Sequence, residues 1–101
     1  MAVSKVEPVL DRLIHEPGRL AIMTVLSSVT DADFLFLQRA TGLTKGNLSS
    51  HLSKLEDAGL VTIEKRFIRK KPNTNVALTP LGRRRIAEHW KQLDRLKQLA
   101  G

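Results

Sequence analysis

The sequence predicts a mainly α-helical fold with one small β-hairpin. Three observations carry this expectation. Apolar residues recur at helical spacing over most of the chain, two short helices meet at a glycine, and two alternating segments bracket a strongly basic stretch. In 101 residues these elements make a single domain, 1–101. A core of this size buries only about 60–68% of the unfolded surface, so dimerisation would add stability.

Val6 to His15 sets Val6, Val9, Leu10, Leu13 and Ile14 at helical spacing, with Pro8 tolerated in the first turn. Glu16-Pro17-Gly18 interrupts the chain. Pro17 suits the first position of a second helix, which runs to about Ser28. Leu20, Ala21, Ile22, Met23, Val25 and Leu26 leave that helix almost no polar face. A helix apolar all round is buried on several sides, and in so small a chain this suggests that a partner subunit covers one of them. Asp31 or Asp33 caps the next helix, which holds Phe34, Leu35, Leu37 and Ala40 and ends at Gly42. Thr44 caps another helix directly, with Leu48, Leu52 and Leu55 on its buried face and Gly59 as its stop. Two helices joined by three or four residues including a glycine, here over 33–58, form a helix-turn-helix.

Leu60 to Glu64 reads as a strand, and a second strand is expected over Asn75–Thr79. Lys65 to Thr74 lies between them as a long basic tip, with a turn signal at Pro72-Asn73, so the hairpin spans 60–79. Thr79-Pro80 then opens the last helix, 80–99, roughly 30 Å long at about 1.5 Å per residue. Ile86, Trp90, Leu93, Leu96 and Ala100, with Leu99 nearby, recur at a spacing close to that of a helix–helix seam. Trp90 fits core or seam equally.

The charge is local. The chain carries 17 Lys plus Arg against 10 Asp plus Glu, a net +7. Eight of the basic residues (Lys65, Arg66, Arg69, Lys70, Lys71, Arg83, Arg84 and Arg85) fall in one stretch without a single acid. The remainder is nearly neutral. A basic block on a neutral body points to a polyanion-binding edge. It lacks the apolar face of a membrane-surface helix.

Several classes are set aside. There is no cysteine, hence no disulfide, thiolate metal site or cysteine nucleophile. No apolar run approaches a membrane span, and Met1 to Lys5 has no signal-peptide pattern, which fits a cytoplasmic protein. His15, His51 and His89 stand in unrelated segments with no acid or nucleophile at a diagnostic spacing, and no phosphate loop or HExxH helix is present. The expectation is therefore no enzyme, no cofactor and no metal.

A helix-turn-helix followed by a basic hairpin is the winged-helix plan. The run Thr41-Gly42-Leu43-Thr44-Lys45-Gly46-Asn47-Leu48-Ser49-Ser50-His51-Leu52-Ser53-Lys54-Leu55-Glu56-Asp57-Ala58-Gly59-Leu60-Val61 resembles the recognition segment of winged-helix transcriptional regulators. The group is similar to the multiple-antibiotic-resistance (MarR) and arsenical-resistance (ArsR) regulators, and most of all to their short prokaryotic relatives. Leu78-Thr79-Pro80-Leu81-Gly82-Arg83 resembles their junction after the wing. The resemblance covers roughly Pro17 to Trp90. It implies a double-stranded-DNA-binding regulator whose helices 6–15 and 80–99 build a two-fold dimer. Two departures are Gln38, where many such proteins place a small residue four before the turn glycine, and the missing cysteines, which remove any ground for metal sensing.

On the recognition helix, Gly46, Ser50, Ser53 and Asp57 point away from the leucine face, with Asn47 and Lys54 on one flank and Ser49 on the other. The N-terminal residues of such a helix read bases. Lys45 suits guanine, Asn47 suits adenine, Ser50 suits either, and Gly46 lets backbone and groove approach. Ser49, Ser50 and His51 resemble the Ser-x-His segment that touches DNA in related regulators. The expected contact set is Thr44, Lys45, Gly46, Asn47, Ser49, Ser50, His51 and Lys54, with Lys65, Arg66, Arg69, Lys70 and Lys71 from the wing. Arg83 to Arg85 span about 200° of the last helix, so at least one faces elsewhere. The alternative reading is a winged-helix module that docks RNA or protein. The basic block speaks against protein docking, and one Trp, three Phe and no Tyr speak against single-strand stacking. A small-molecule effector would need a cleft between the dimer helices and the DNA-binding body, and its identity is unknown.

Overall fold

The computed structural model describes residues 11–100. Their element order is α1 (Pro17–Ser27), β1 (Ala32–Asp33), α2 (Phe34–Thr41), α3 (Lys45–Asp57), β2 (Val61–Ile68), β3 (Lys71–Leu78) and α4 (Pro80–Leu99). The helices start where side chains can cap them. Glu16 accepts from the Arg19 backbone N–H, Asp33 from Phe36, Thr44 from Asn47 and Thr79 from Gly82. Pro17 and Pro80 occupy first turns, where a missing N–H costs nothing. α2 ends on a left-handed Gly42, whose N–H returns to the Gln38 carbonyl.

α1 is the centre of the molecule. It touches α2, α3, α4 and β3, and its Ile22, Met23 and Leu26 are buried with Leu37, Leu48, Leu52, Leu55, Val76 and Ile86. Leu20 and Val25 pack on the rim of the same cluster. The chain itself thus covers the face that carries Ile22, Met23 and Leu26, and leaves Leu20, Ala21 and Val25 half-buried. Three helices and a strand of the same chain meet α1, more neighbours than its order along the sequence discloses.

Three features of the sheet differ from expectation. The hairpin gains a third strand: β1 joins β3 antiparallel through Ala32–Val76 and Asp33–Asn75, giving the order β1-β3-β2. The hairpin strands are eight residues each rather than five, in register from Val61–Leu78 to Ile68–Lys71. The turn is Arg69-Lys70, both with positive φ (55° and 67°), not Pro72-Asn73. The register gives the reason. A two-residue turn closes on the hydrogen-bonded pair Ile68–Lys71, so the next pair, Phe67–Pro72, is a non-hydrogen-bonded one. The proline ring sits where no N–H is asked of it, and the strand runs through it.

The first half of the helix expected over 6–15, residues 6–10, lies outside the described residues. Of its last five, Asp11 to His15 form a turn, closed by the His15 N–H to the Asp11 carbonyl at 2.8 Å, rather than helix. The Asp11 carboxylate accepts from the Leu13 and Ile14 N–H groups within the same turn, a local bond that competes with helix.

At the junction of β2 and α4, Gly82 lies against the Leu60 carbonyl so closely that a Cβ would collide with it. Thr79 seals the contact, its N–H donating to Leu60 O and its hydroxyl to Gly59 O at 2.6 Å. This close approach sets where the last helix leaves the sheet.

Candidate nucleic-acid interface

α3 lies on the core through Leu48, Leu52 and Leu55, all buried. The 100° step then fixes what remains outside. Gly46, Asn47, Ser50, Ser53, Lys54 and Asp57 are all exposed, as are Thr44, Lys45 and Ser49. The Thr44 hydroxyl oxygen caps the helix by accepting from the Asn47 N–H at 3.1 Å, so it orders the first turn. Ser49, Ser53 and Lys45 turn toward the wing. With Glu56 they form one wall of an open groove whose other wall is Ile63, Lys65 and Thr74, with Phe34 beside them.

Strand alternation sorts the wing. Lys65 and Phe67 share the groove face with Ile63. Arg66 and Ile68 lie on the opposite face, beside Asn73, Asn75 and the β1 edge. There the Arg66 guanidinium donates to Asn73 Oδ1 at 3.2 Å and lies 3.6 Å from the Glu64 carboxylate, an exposed pair. Arg69 and Lys70 form the tip and Lys71 starts the return strand, all exposed.

The structure therefore brings together Lys45, Ser49 and Lys65 around one groove, with Asn47, Ser50 and Lys54 on the adjoining open face. It does not bring His51 there. The His51 ring is half-buried on the flank facing α1, over Gly18, where a Cβ would meet the imidazole. Arg19 Nη1 lies 3.1 Å from His51 Nδ1. An arginine only donates, so Nδ1 accepts and the proton stands on Nε2. That nitrogen faces the Glu16 carboxylate at 3.6 Å. Glu16 is itself held below the usual carboxylate range, first by the Arg19 backbone N–H it accepts and further by the positive charge nearby. His51 ties the recognition helix to the start of α1.

The arginine run at the start of α4 also parts from the wing. Arg83 reaches back to the end of α1, donating to the carbonyls of Val29 at 3.0 Å and Ser27 at 3.5 Å. Arg85 pairs with the Asp11 carboxylate, Nη2 to Oδ2 at 2.7 Å and Nε to Oδ2 at 2.8 Å. Of the basic block, Arg66, Arg83 and Arg85 are engaged within the protein, whereas Arg69, Lys70, Lys71 and Arg84 are exposed without a side-chain partner among the described contacts.

Beneath α4, His89 is fully buried and its Nε2 meets His15 Nδ1 at 3.2 Å. Burial pushes the His89 pKa below its ordinary value, the neighbouring imidazole adds to this, and Asp11 opposes it. Beyond it along α4, Trp90 is 41% exposed, Leu93 and Leu96 are half-buried and Leu99 is exposed. Among the described residues no group of His, Cys, Asp or Glu is placed to hold a metal ion, and no helix is long and apolar enough to cross a membrane.

The pattern of the winged-helix DNA-binding domain family matches residues 19–97, from within α1 to the end of α4. The chain belongs to this family. An uncharacterised protein of Methanocaldococcus jannaschii is 35% identical over 72 residues, 71% of this chain and 78% of that one. A solved transcriptional regulator homologue from Pyrococcus horikoshii superposes with a TM-score of 0.81 at 33% identity, covering 87% of both chains. A MarR-family transcriptional regulator from Silicibacter pomeroyi shares the fold alone, with a TM-score of 0.69 at 19% identity over 85% of this chain and 56% of that one. The winged-helix regulator is thus a DNA-binding regulator with a MarR-like fold, and neither family nor fold points to an enzyme.

Two side chains at or beside this surface stand outside the set that the sequence singles out. Arg19, which orients His51, had no local signal, because its partner is 32 residues away. Phe67 had one: Phe67-Ile68 are strand-forming residues inside the basic run, and the charge around them masked the alternation.

Proposed function

We propose that this winged-helix protein, as one domain over 1–101, is a sequence-specific regulator of transcription that binds double-stranded DNA in the cytoplasm as a homodimer on an inverted repeat. The observation that carries the reading is the shared groove: Lys45 and Ser49 of the polar face of α3 border it on one side and Lys65 of the basic wing on the other. α3 enters the major groove, where Lys45, Asn47 and Ser50 read base edges and Gly46 allows close approach. Thr44, Ser49 and Lys54 hold the flanking phosphates. Lys65 meets the backbone from the groove face and Arg66 from the opposite face of the wing, and Arg69, Lys70 and Lys71 reach the neighbouring minor groove. His51 acts here as a positioning residue that fixes the angle of α3 on the body. Glu56 and Asp57 at the far end of α3 repel phosphate, so that end leaves the groove.

The exposed apolar residues of α4 support the dimer. Trp90 and Leu99 stand open beside half-buried Leu93 and Leu96, at the spacing of a helix seam. Two-fold pairing there relates two recognition helices by one axis. Selection of bound duplexes from a random pool then yields an inverted repeat with half-sites about one helical turn, roughly 34 Å, apart. Leu93→Asp converts the protein to an 11 kDa species in sedimentation and leaves single half-site binding intact. A selected site without two-fold symmetry, from a wild type that sediments as a monomer, overturns the dimer. Equal competition by single-stranded and duplex DNA overturns the duplex reading itself.

A further inference from the structure

Phe67 is the most exposed aromatic of the described residues, at 74%. Its position is not that of a loose surface residue. It stands two residues before the turn, paired across the ladder with Pro72, on the same strand face as Ile63 and Lys65, the face that borders the α3 groove. Phe67 and Pro72 make one face of the wing's end apolar, and Ile68, 46% exposed, lies on the other. Arg69, Lys70 and Lys71 follow at the turn and the start of the return strand, and the two tip residues are held at positive φ. Non-glycine residues in that region cost energy and persist where the surrounding structure demands them. Phosphate contact makes no use of an uncovered ring, whereas a stacked base step does.

We infer that Phe67, backed by Pro72, is a wedge that enters the DNA minor groove and partially unstacks a base step, bending the duplex. The inference rests on the DNA reading above and adds a specificity residue to it. Distance supports it. Ile63 lines the groove with α3, and Phe67 lies four residues further along the strand, about 13 Å at about 3.3 Å per residue. The major groove is about 12 Å wide, so with α3 seated in it the ring reaches past the intervening backbone into the next minor groove. The cations supply the electrostatic pull toward the narrow groove, and the uncharged pair of rings supplies the surface that replaces base stacking. Apolar side chains inserted this way kink duplexes toward the major groove. Pyrimidine–purine steps unstack most readily, so the wedge selects a TA or CA step that no side chain reads by hydrogen bonding.

The test compares wild type, Phe67→Ala and Phe67→Leu on duplexes that carry the selected site with end-attached donor and acceptor dyes. 2-Aminopurine is placed at the step facing the wing. With wild type, energy transfer rises and 2-aminopurine brightens on binding, and a TA step at that position is preferred over AA by about fivefold or more. Phe67→Ala removes the brightening, straightens the duplex and brings the step preference close to one. Its salt slope is unchanged because the cations remain. Phe67→Leu keeps an apolar wedge and restores most of each signal. Circular dichroism should show all three equally folded, since the ring is outside the core. A Phe67→Ala protein that bends DNA and prefers TA as wild type does overturns the wedge while leaving duplex binding standing. A change in sedimentation of Phe67→Ala without DNA would instead assign the ring to contact between copies, and overturns it too. A wild type that fails to bind duplex at all overturns both the wedge and the function it rests on.

Discussion

Arg69, Lys70 and Lys71 of the wing and Arg83 and Arg85 at the start of α4 look alike along the chain and stand in different physical situations. Arg69, Lys70 and Lys71 project from a two-residue turn without a side-chain partner among the described residues, and the turn itself is strained. Arg83 and Arg85 fold back on the body, one onto the exposed carbonyls at the end of α1 and the other onto Asp11. The first set leaves its charge available to a polyanion. The second spends it on internal contacts that hold α4 and the segment before α1 against the core. A run of charge is therefore no measure of a binding surface until each group's partner is known.

That contrast can be broken at its anchor. Gly82→Ala drives a methyl group into the Leu60 carbonyl and displaces α4, costing about 3 kcal/mol or more in stability and showing as a lower urea midpoint. Changing Arg69, Lys70 and Lys71 together to Ala should leave the urea midpoint in place. Affinity for every duplex falls instead, on the order of 10²-fold near 0.1 M salt, and the slope of log K against log salt drops by roughly 0.9 per lost contact. An unchanged slope in titrations at several salt concentrations means the wing does not touch phosphate. Arg83→Ala and Arg85→Ala make the opposite pattern. Each lowers stability by about 1 kcal/mol or less, since both contacts are partly exposed, and neither moves the salt slope.

The tip offers a sharper comparison. Arg69→Asn with Lys70→Gly gives the turn residues that accept positive φ, so thermal stability should rise by about 0.5–1 kcal/mol while DNA affinity falls. A variant that gains stability and keeps its affinity would show the tip to be a poor turn without a function. The smallest effect concerns pH. The buried His89 has a folded pKa below its ordinary value of about 6.5, so the unfolded chain binds more protons as pH falls through that value. Stability present above about pH 6.5 is lost progressively down to the folded pKa. His89→Gln should flatten this decline in denaturation curves taken from pH 7.5 to 5.

Helix positions were legible because they rest on local chemistry. Pro17, Thr44, Gly42, Thr79 and Pro80 mark starts and stops by backbone geometry alone, and the leucines of α3 declare their face by spacing. The hairpin is legible as a hairpin but not in its length, because charge and Pro72 are loop signals locally and the register that excuses the proline is a cross-strand property. β1 was missed because two residues carry no period. Of the candidate interface, the open polar face of α3 was readable from the 100° step. His51 was not, since Arg19 and Glu16 claim its ring from a different helix.

By itself the sequence determined the helix-turn-helix, the basic wing that follows it and the apolar faces that make them one body, all consequences of periodicity and capping over a few turns. Only the tertiary structure decided that α1 meets three helices and a strand of its own chain, that Arg83 and Arg85 belong to the scaffold, that His89 is buried against His15, and that Phe67 stands uncovered beside the cations of the wing. Each of these depends on which residues distant in the chain meet in space. A side chain's charge or apolarity says what it would bind, and the fold decides whether that demand is met inside the molecule or left for a partner.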